Sequence, residues 1–227
     1  MWDLFISILG FVVFSLFVMS FLYVVHIRSM CKLSLAKDDQ QQLPEDLQWW
    51  SQANQFEYEG CYKTRIGMSH MTIYAWKHDE RPSFVCQYDI KENKKVKTNY
   101  DFVTIFADDV GLTTAADSSS QTLPKPPSEY MQSFSNMSFD DRLEMHVHSE
   151  NFLINSGGAI LLERGFSFEE EFINAARRDA RFVRKLWFWP LRWPYWHAVR
   201  KVKLHNLSIE DQHLKGMIKL PRELLGF

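Results

Sequence analysis

Leu4 to Val25 reads LFISILGFVVFSLFVMSFLYVV, an apolar run with no charge and only Ser, Gly and Tyr as breaks. As a helix rising ~1.5 Å per residue it extends ~33 Å, about the hydrocarbon thickness of a bilayer. Helices buried in soluble domains rarely stay uncharged on every face for so long. The expectation is a retained transmembrane anchor over residues 1–30, with the rest of the chain on one side of the membrane. The rival is a cleaved signal peptide, which opens with Lys or Arg and ends at a small-x-small site. Here the start is Met-Trp-Asp, and His26, Ile27, Arg28, Ser29 and Met30 offer no such site.

The flanks set an expected orientation. Asp3 precedes the run, whereas Arg28, Lys32 and Lys37 follow it. Basic residues concentrate on the cytoplasmic side, so the N-terminus is expected outside and the domain in the cytoplasm. Trp2 and Tyr23 stand where interfacial aromatics are favoured. The cysteine count agrees: Cys31, Cys61 and Cys86 are three, an odd number without repeated spacing, unlike a secreted disulfide framework. The sequons at Asn136 and Asn206 have no meaning for a cytoplasmic domain. A net charge of −2 argues against a nucleic-acid partner.

Residues 31–43 are polar and lack an apolar period, which reads as a tether. An α+β domain is expected over 44–165. Pro44 with Glu45 and Asp46 suits the start of a helix that ends near Asn54. From Phe56 the period changes to two. Strand-like runs fall at 56–66, 70–76, 83–90, 96–106 and 112–116, parted by short polar turns. They read as an antiparallel meander of four or five strands. No connection is long enough for a crossover helix, so parallel pairing is not expected. Pro124, Pro126 and Pro127 exclude a regular element from the loop at 117–130. They suit a rigid edge-covering loop or a polyproline ligand.

Two further helices announce themselves by their caps. Ser138 stands three residues before Asp141, and Ser167 three before Glu170. The first is expected to bury Leu143, Val147, Phe152 and Ile154 and to stop at Gly157-Gly158. The second carries Phe168, Phe172, Ala175, Ala176, Phe182, Val183 and Leu186 near one face, acids at its start and bases at its end.

The last region, 166–227, is expected to pair that helix with a basic, Trp-rich interfacial segment and a tail. Residues 177–203 hold nine Lys or Arg against one acid, Asp179, and four of the chain's eight tryptophans. Pro190 and Pro194 and the charges exclude a second span. Trp is favoured at headgroup level, and each base near an anionic leaflet contributes ~1 kcal/mol. The expected contacts with anionic headgroups or a membrane-protein complex are Arg181, Arg184, Lys185, Trp187, Trp189, Arg192, Trp193, Trp196, Arg200 and Lys201. The same composition also suits the core of a C-terminal module with a solvated basic face.

Candidate chemistry is sparse. His146 and His148, flanked by Glu144 and Glu150, come closest to a metal motif, but on a helix the i, i+2 pair diverges by ~200°. Asp108-Asp109 suits acid–base work or a cation, yet before Gly111 it suits a tight turn better. Cys61 and Cys86 fall on strands, as small hydrophobes. The chain has no nucleophile elbow or phosphate-binding glycine loop, and no cofactor is expected.

Phe102 and Phe106 before the Asp108-Asp109 turn, Thr113-Thr114 after it, the prolines from Pro124 and the helix carrying His146 and His148 form one ordered set. In that order they resemble uncharacterised bacterial single-pass membrane-anchored proteins with an α+β soluble domain. The resemblance covers about residues 56–150 and departs at Val110, inserted into the turn. It implies the anchored architecture and no activity.

The leading expectation is a non-catalytic accessory, scaffold or assembly subunit of a membrane protein complex. The alternative is a membrane-tethered sensor or binding domain for a lipid or small apolar ligand, for which a deep apolar cavity between sheet and helix is the signature. The third is a hydrolase or metal enzyme, which requires His146, His148, Asp108 or Asp109 to converge in one pocket.

Overall fold

The computed structural model describes residues 2–38, 44–67, 69–92, 95–117, 123–163, 166–196, 199 and 201–225. Helix α1 (Trp2–Cys31) is long and apolar enough to cross a membrane, its most apolar 18 residues having a mean hydropathy of 2.6. From Leu4 its side chains are exposed through Leu22, apart from half-buried Ser15 and Ser20. From the next residue the helix enters the domain: Tyr23, Ile27 and Met30 are buried. The segment expected as a tether therefore begins as the last turn of this helix. It then supplies β1 (Ala36–Lys37), two residues paired with the next strand. Residues 39–43 lie outside the described ones.

Helix α2 (Glu45–Ala53) follows, then β2 (Phe56–Ile66), β3 (Ser69–His78), β4 (Ser83–Glu92), β5 (Lys95–Ile105), β6 (Gly111–Ala115) and β7 (Glu129–Ser133). The sheet has seven strands in sequence order, more than the four or five expected. The class is α+β, and β2 to β6 lie within two residues of the expected runs. The two extra strands are short edges. β1 is too brief to show a period, and β7 stands directly after the prolines.

One pair corrects the topology. β6 and β7 are parallel. The crossover needs no helix; the Pro-rich loop makes it, with Leu123 buried against α1 and the last long helix. The β5–β6 turn places Asp108 and Asp109 both at left-handed φ, 58° and 60°. Two such residues form the hairpin turn that matches strand twist, and Asp tolerates it.

Helices cover both faces of the sheet. On one face lies α3 (Phe139–Asn155), whose N-cap Ser138 accepts from the Asp141 N–H. With α2 it closes a core of Leu47, Phe56, Tyr74, Trp76, Val85 and Phe102. On the other lies α4 (Phe168–Lys185), capped by Ser167 through the Glu170 N–H. Phe168 and Phe172 meet Tyr62, Ile73, Phe84 and Tyr88 of the sheet. The C-terminal half of α4 turns a small-residue stripe, Ala176, Ala180 and Val183, against Tyr23, Ile27 and Met30 of α1. Helices α5 (Trp189–Tyr195), α6 (Lys201–Leu204), α7 (Ile209–Leu214) and α8 (Pro221–Leu225) complete the chain. The tail packs Ile209 and Leu220 onto Phe106, Tyr130 and Leu153.

The α1–α4 contact is thus part of the core. Ile27→Ala removes a fully buried side chain and is expected to cost about 2–5 kcal/mol. Phe17→Ala, at a position 70% exposed, is expected to leave stability within about 0.5 kcal/mol. Denaturation of the full chain in mild detergent, monitored by near-ultraviolet circular dichroism, compares the two.

Candidate functional site

A cavity of about 450 Å³ lies between the sheet and α4, within the range of small-molecule sites. Period-two alternation builds its floor: Met71 on β3, Tyr88 and Ile90 on β4, and Val103 and Ile105 on β5 point to this face. Phe168, Phe172, Ala175 and Ala176 of α4 form the roof, and His26 and Met30 of α1 complete the wall.

Against this apolar lining stands one charged cluster. Lys125 of the crossover loop donates to Asp179 Oδ2 at 2.5 Å. Arg178 donates to Glu129 through both Nε and Nη2, and through Nη1 to Asp109 Oδ1 at 2.7 Å. All but Asp109 line the cavity, as does Asp101, which is 8% exposed. Asp179 is 4% exposed and its Oδ1 has no hydrogen-bond partner among the described residues. Burial opposes the Lys125 ammonium, but Asp179 and Glu129 beside it hold its pKa above the ordinary value. Burial raises the Glu129 carboxyl against the pull of Lys125 and Arg178. Gly111 makes room for that carboxyl: a Cβ there would lie 2.7 Å from Glu129 Oε2. Glu171, which also lines the cavity, lies near the same Arg178.

Sequence reasoning missed this cluster. Its signal was present, since Asp179 is the lone acid in a basic stretch and falls on the apolar stripe of α4. Phe182, expected on that stripe, is only half-buried.

Across the sheet, α3 buries Leu153 and a polar face: Arg142, His146, Ser149 and Glu150. The expected apolar residues Leu143, Val147, Phe152 and Ile154 are only half-buried. His146, Ser149 and Glu150 find partners on the sheet, while Arg142 Nη2 donates to the Met137 carbonyl and its Nε has no partner among the described residues. Thr104 donates to Glu150 Oε2 at 2.8 Å, so its oxygen accepts from His146 Nε2, 2.8 Å away. Gln132 Nε2 donates to Thr114 Oγ1, leaving the Thr114 hydroxyl to donate to His146 Nδ1 at 2.7 Å. Ser149 and the Ile209 N–H donate to Gln132 Oε1. One proton per hydroxyl fixes His146 as a neutral, Nε2-protonated ring. Burial, with the Arg81 charge, lowers its pKa to about 3.

The other candidates do not converge. His148 is exposed and meets Glu210 at 3.1 Å. Asp109 serves the turn and Arg178. No group of three or more potential metal ligands occurs among the described residues. Cys61 and Cys86 are buried; burial pushes the Cys61 thiol up to about 11 and the Cys86 thiol higher.

In the Trp-rich segment, Arg181, Arg184, Lys185, Trp187 and Arg192 are exposed. Trp189 is half-buried, its ring 5.6 Å from that of Tyr23 on α1. Trp196 is half-buried. Arg200 and the side chains of Trp193 and Lys201 lie outside the described residues. No family model, curated protein or solved structure matches this chain, so its functional reading rests on this geometry.

The His146 network carries a pH dependence. The unfolded ring binds its proton near pH 6.5, the folded one near 3, so stability is full above 6.5 and falls as pH drops below it. The expected loss from this residue between pH 7.5 and pH 5.0 is about 2 kcal/mol. His146→Gln, which keeps a donor and an acceptor but takes up no proton, should flatten that part of the profile. Urea denaturation at the two pH values measures it.

Proposed function

We propose that this chain is a membrane-anchored binding domain for a small amphipathic ligand, held between the sheet and α4. The carrying observation is the 450 Å³ cavity. Its aromatic and aliphatic walls suit an apolar body, and the Lys125–Asp179 and Arg178–Glu129 pairs suit a polar end. The unpartnered Asp179 oxygen favours a hydrogen-bond-donating or cationic head. The reading is non-catalytic, in keeping with the scattering of the histidine and aspartate candidates. In it α1 spans the bilayer with its N-terminus outside and the domain on the cytoplasmic face, as the basic flank favours.

A second reading is the accessory subunit of a membrane protein complex. The exposed Trp187, Phe188, Leu191 and Tyr195 beside α1 favour it, since contiguous exposed aromatics mark interaction surfaces. Native-size separation after mild extraction separates the readings: a large defined assembly supports the subunit, a single chain with a bound small molecule the binding domain.

Charge removal is a poor test of binding, because a variant lacking Asp179 takes the main partner from the half-buried Lys125 ammonium and disturbs the fold as well as the site. Filling the cavity is cleaner. Met71→Trp and Ala175→Trp place a large side chain in the space while leaving every ion pair intact. Native mass spectrometry of the full chain released from nanodiscs is expected to show a small-molecule adduct on the wild type and to lose it in both variants. An adduct that persists in both, or is absent from the wild type, counts against the proposal.

A further inference from the structure

We propose that the cavity is filled from the bilayer: its ligand is a membrane-resident amphiphile that enters from the headgroup layer beside α1 and α5. This rests on the binding-domain reading and adds the source and class of the ligand.

The first argument is axial distance. The exposed part of α1, residues 2 to 22, is ~31 Å long, matching the hydrocarbon core of ~30 Å. Burial begins at Tyr23, so no length of chain lifts the domain off the surface. His26 lies four residues, or ~6 Å, beyond Leu22. The headgroup layer is ~5–8 Å deep on each side. His26 and Met30 are cavity wall, so the cavity begins within or just above that layer.

The second argument is α5. It is fixed to α1 through Trp189 and Tyr23, at the level where the exposed run ends. Around that anchor Trp187 is 76% exposed, Phe188 55%, Leu191 55% and Tyr195 61%. Water leaves the apolar surface of such side chains without a partner, whereas the headgroup layer favours aromatics with one apolar and one wet end. Lys185 and Arg192, both exposed, complement anionic lipid phosphates at the same level, whereas Arg181 and Arg184 turn back towards the Arg177 carbonyl and Cys31. The surface is continuous with the α1 span, which commits it to lipid.

The third argument joins the two. α4 carries the docking base Lys185 at its C-terminal end and the cavity roof, Phe172 and Ala176, about two to four turns earlier. An amphiphile leaving the outermost lipid layer beside α5 meets the α1–α4 wall without crossing water. Its chain then has Met71, Ile90 and Phe172 to lie against, and its head the charged pairs.

The test uses the full chain in phosphatidylcholine–phosphatidylglycerol vesicles containing phosphatidylcholine with a diazirine in one acyl chain. A parallel sample receives a water-soluble short-chain diazirine alcohol. After photolysis, labelled peptides are mapped by mass spectrometry. The expected result is labelling of the β3 and α4 cavity peptides by the vesicle lipid, lost in Met71→Trp. A Trp187→Ser, Leu191→Ser double variant, changed only at exposed positions, is expected to reduce that lipid labelling several-fold while leaving labelling by the alcohol unchanged. Lipid label confined to α1 and α5, with the alcohol labelling the cavity, overturns the bilayer source and leaves the binding domain standing. Undiminished lipid labelling in the double variant overturns the role of α5. Cavity peptides labelled by neither probe overturn the binding-domain reading as well.

Discussion

The joint between α1 and α4 is the contact on which the rest of the structure depends. Tyr23, Ile27 and Met30 pack on Ala176, Ala180 and Val183, and the small side chains of α4 let the two helices approach closely. This contact makes the apolar helix a structural member of the domain. It also sets the roof of the cavity at a fixed place relative to the end of the exposed apolar run, and it holds α5 at the same level through Trp189. Neither the cavity wall at His26 and Met30 nor the aromatic surface of α5 would be in register with the apolar run if α1 ended in a loose tether.

The two faces of the sheet solve the burial of polar groups differently. Under α3, Gln132, Thr114, His146, Thr104 and Glu150 form a continuous chain in which each hydroxyl proton has one destination. Such a network rigidifies its surroundings and leaves little for a ligand to do. Under α4 the groups are full charges, paired but not exhausted, and they border open space. An unsatisfied carboxylate oxygen is costly when buried. That asymmetry is why the binding reading falls on the α4 side and not on the histidine.

The strands from Phe56 to Ile105 were legible because alternation and β-branched or aromatic content agree there, and α3 and α4 because Ser138 and Ser167 cap as their spacing predicts. The edges were not. Ala36–Lys37 carries no period, and Glu129–Ser133 follows prolines that read as a break; its parallel pairing became possible only because an extended loop can cross where a helix was assumed necessary. The buried face of α3 was misread for a related reason: His146, Ser149 and Glu150 look like a solvated face until their partners on β5, β6 and β7 are known. The same blindness hid Asp179, whose role depends on Lys125, 54 residues away. Tertiary pairing of polar groups leaves no periodic trace in one sequence, whereas apolar burial does.

The central claim is that the domain sits flush on the bilayer with α5 in the headgroup layer. Its most direct measurement is the depth of a nitroxide at position 191 in the full chain reconstituted in vesicles, after replacement of Cys31, Cys61 and Cys86. Power saturation with oxygen and a nickel chelate gives the depth, with labels at Leu22 and Lys91 as references. The account predicts a label at 191 close to the depth of the one at 22 and protected from the chelate. A label at 191 as accessible to the chelate as the one at 91 would contradict it.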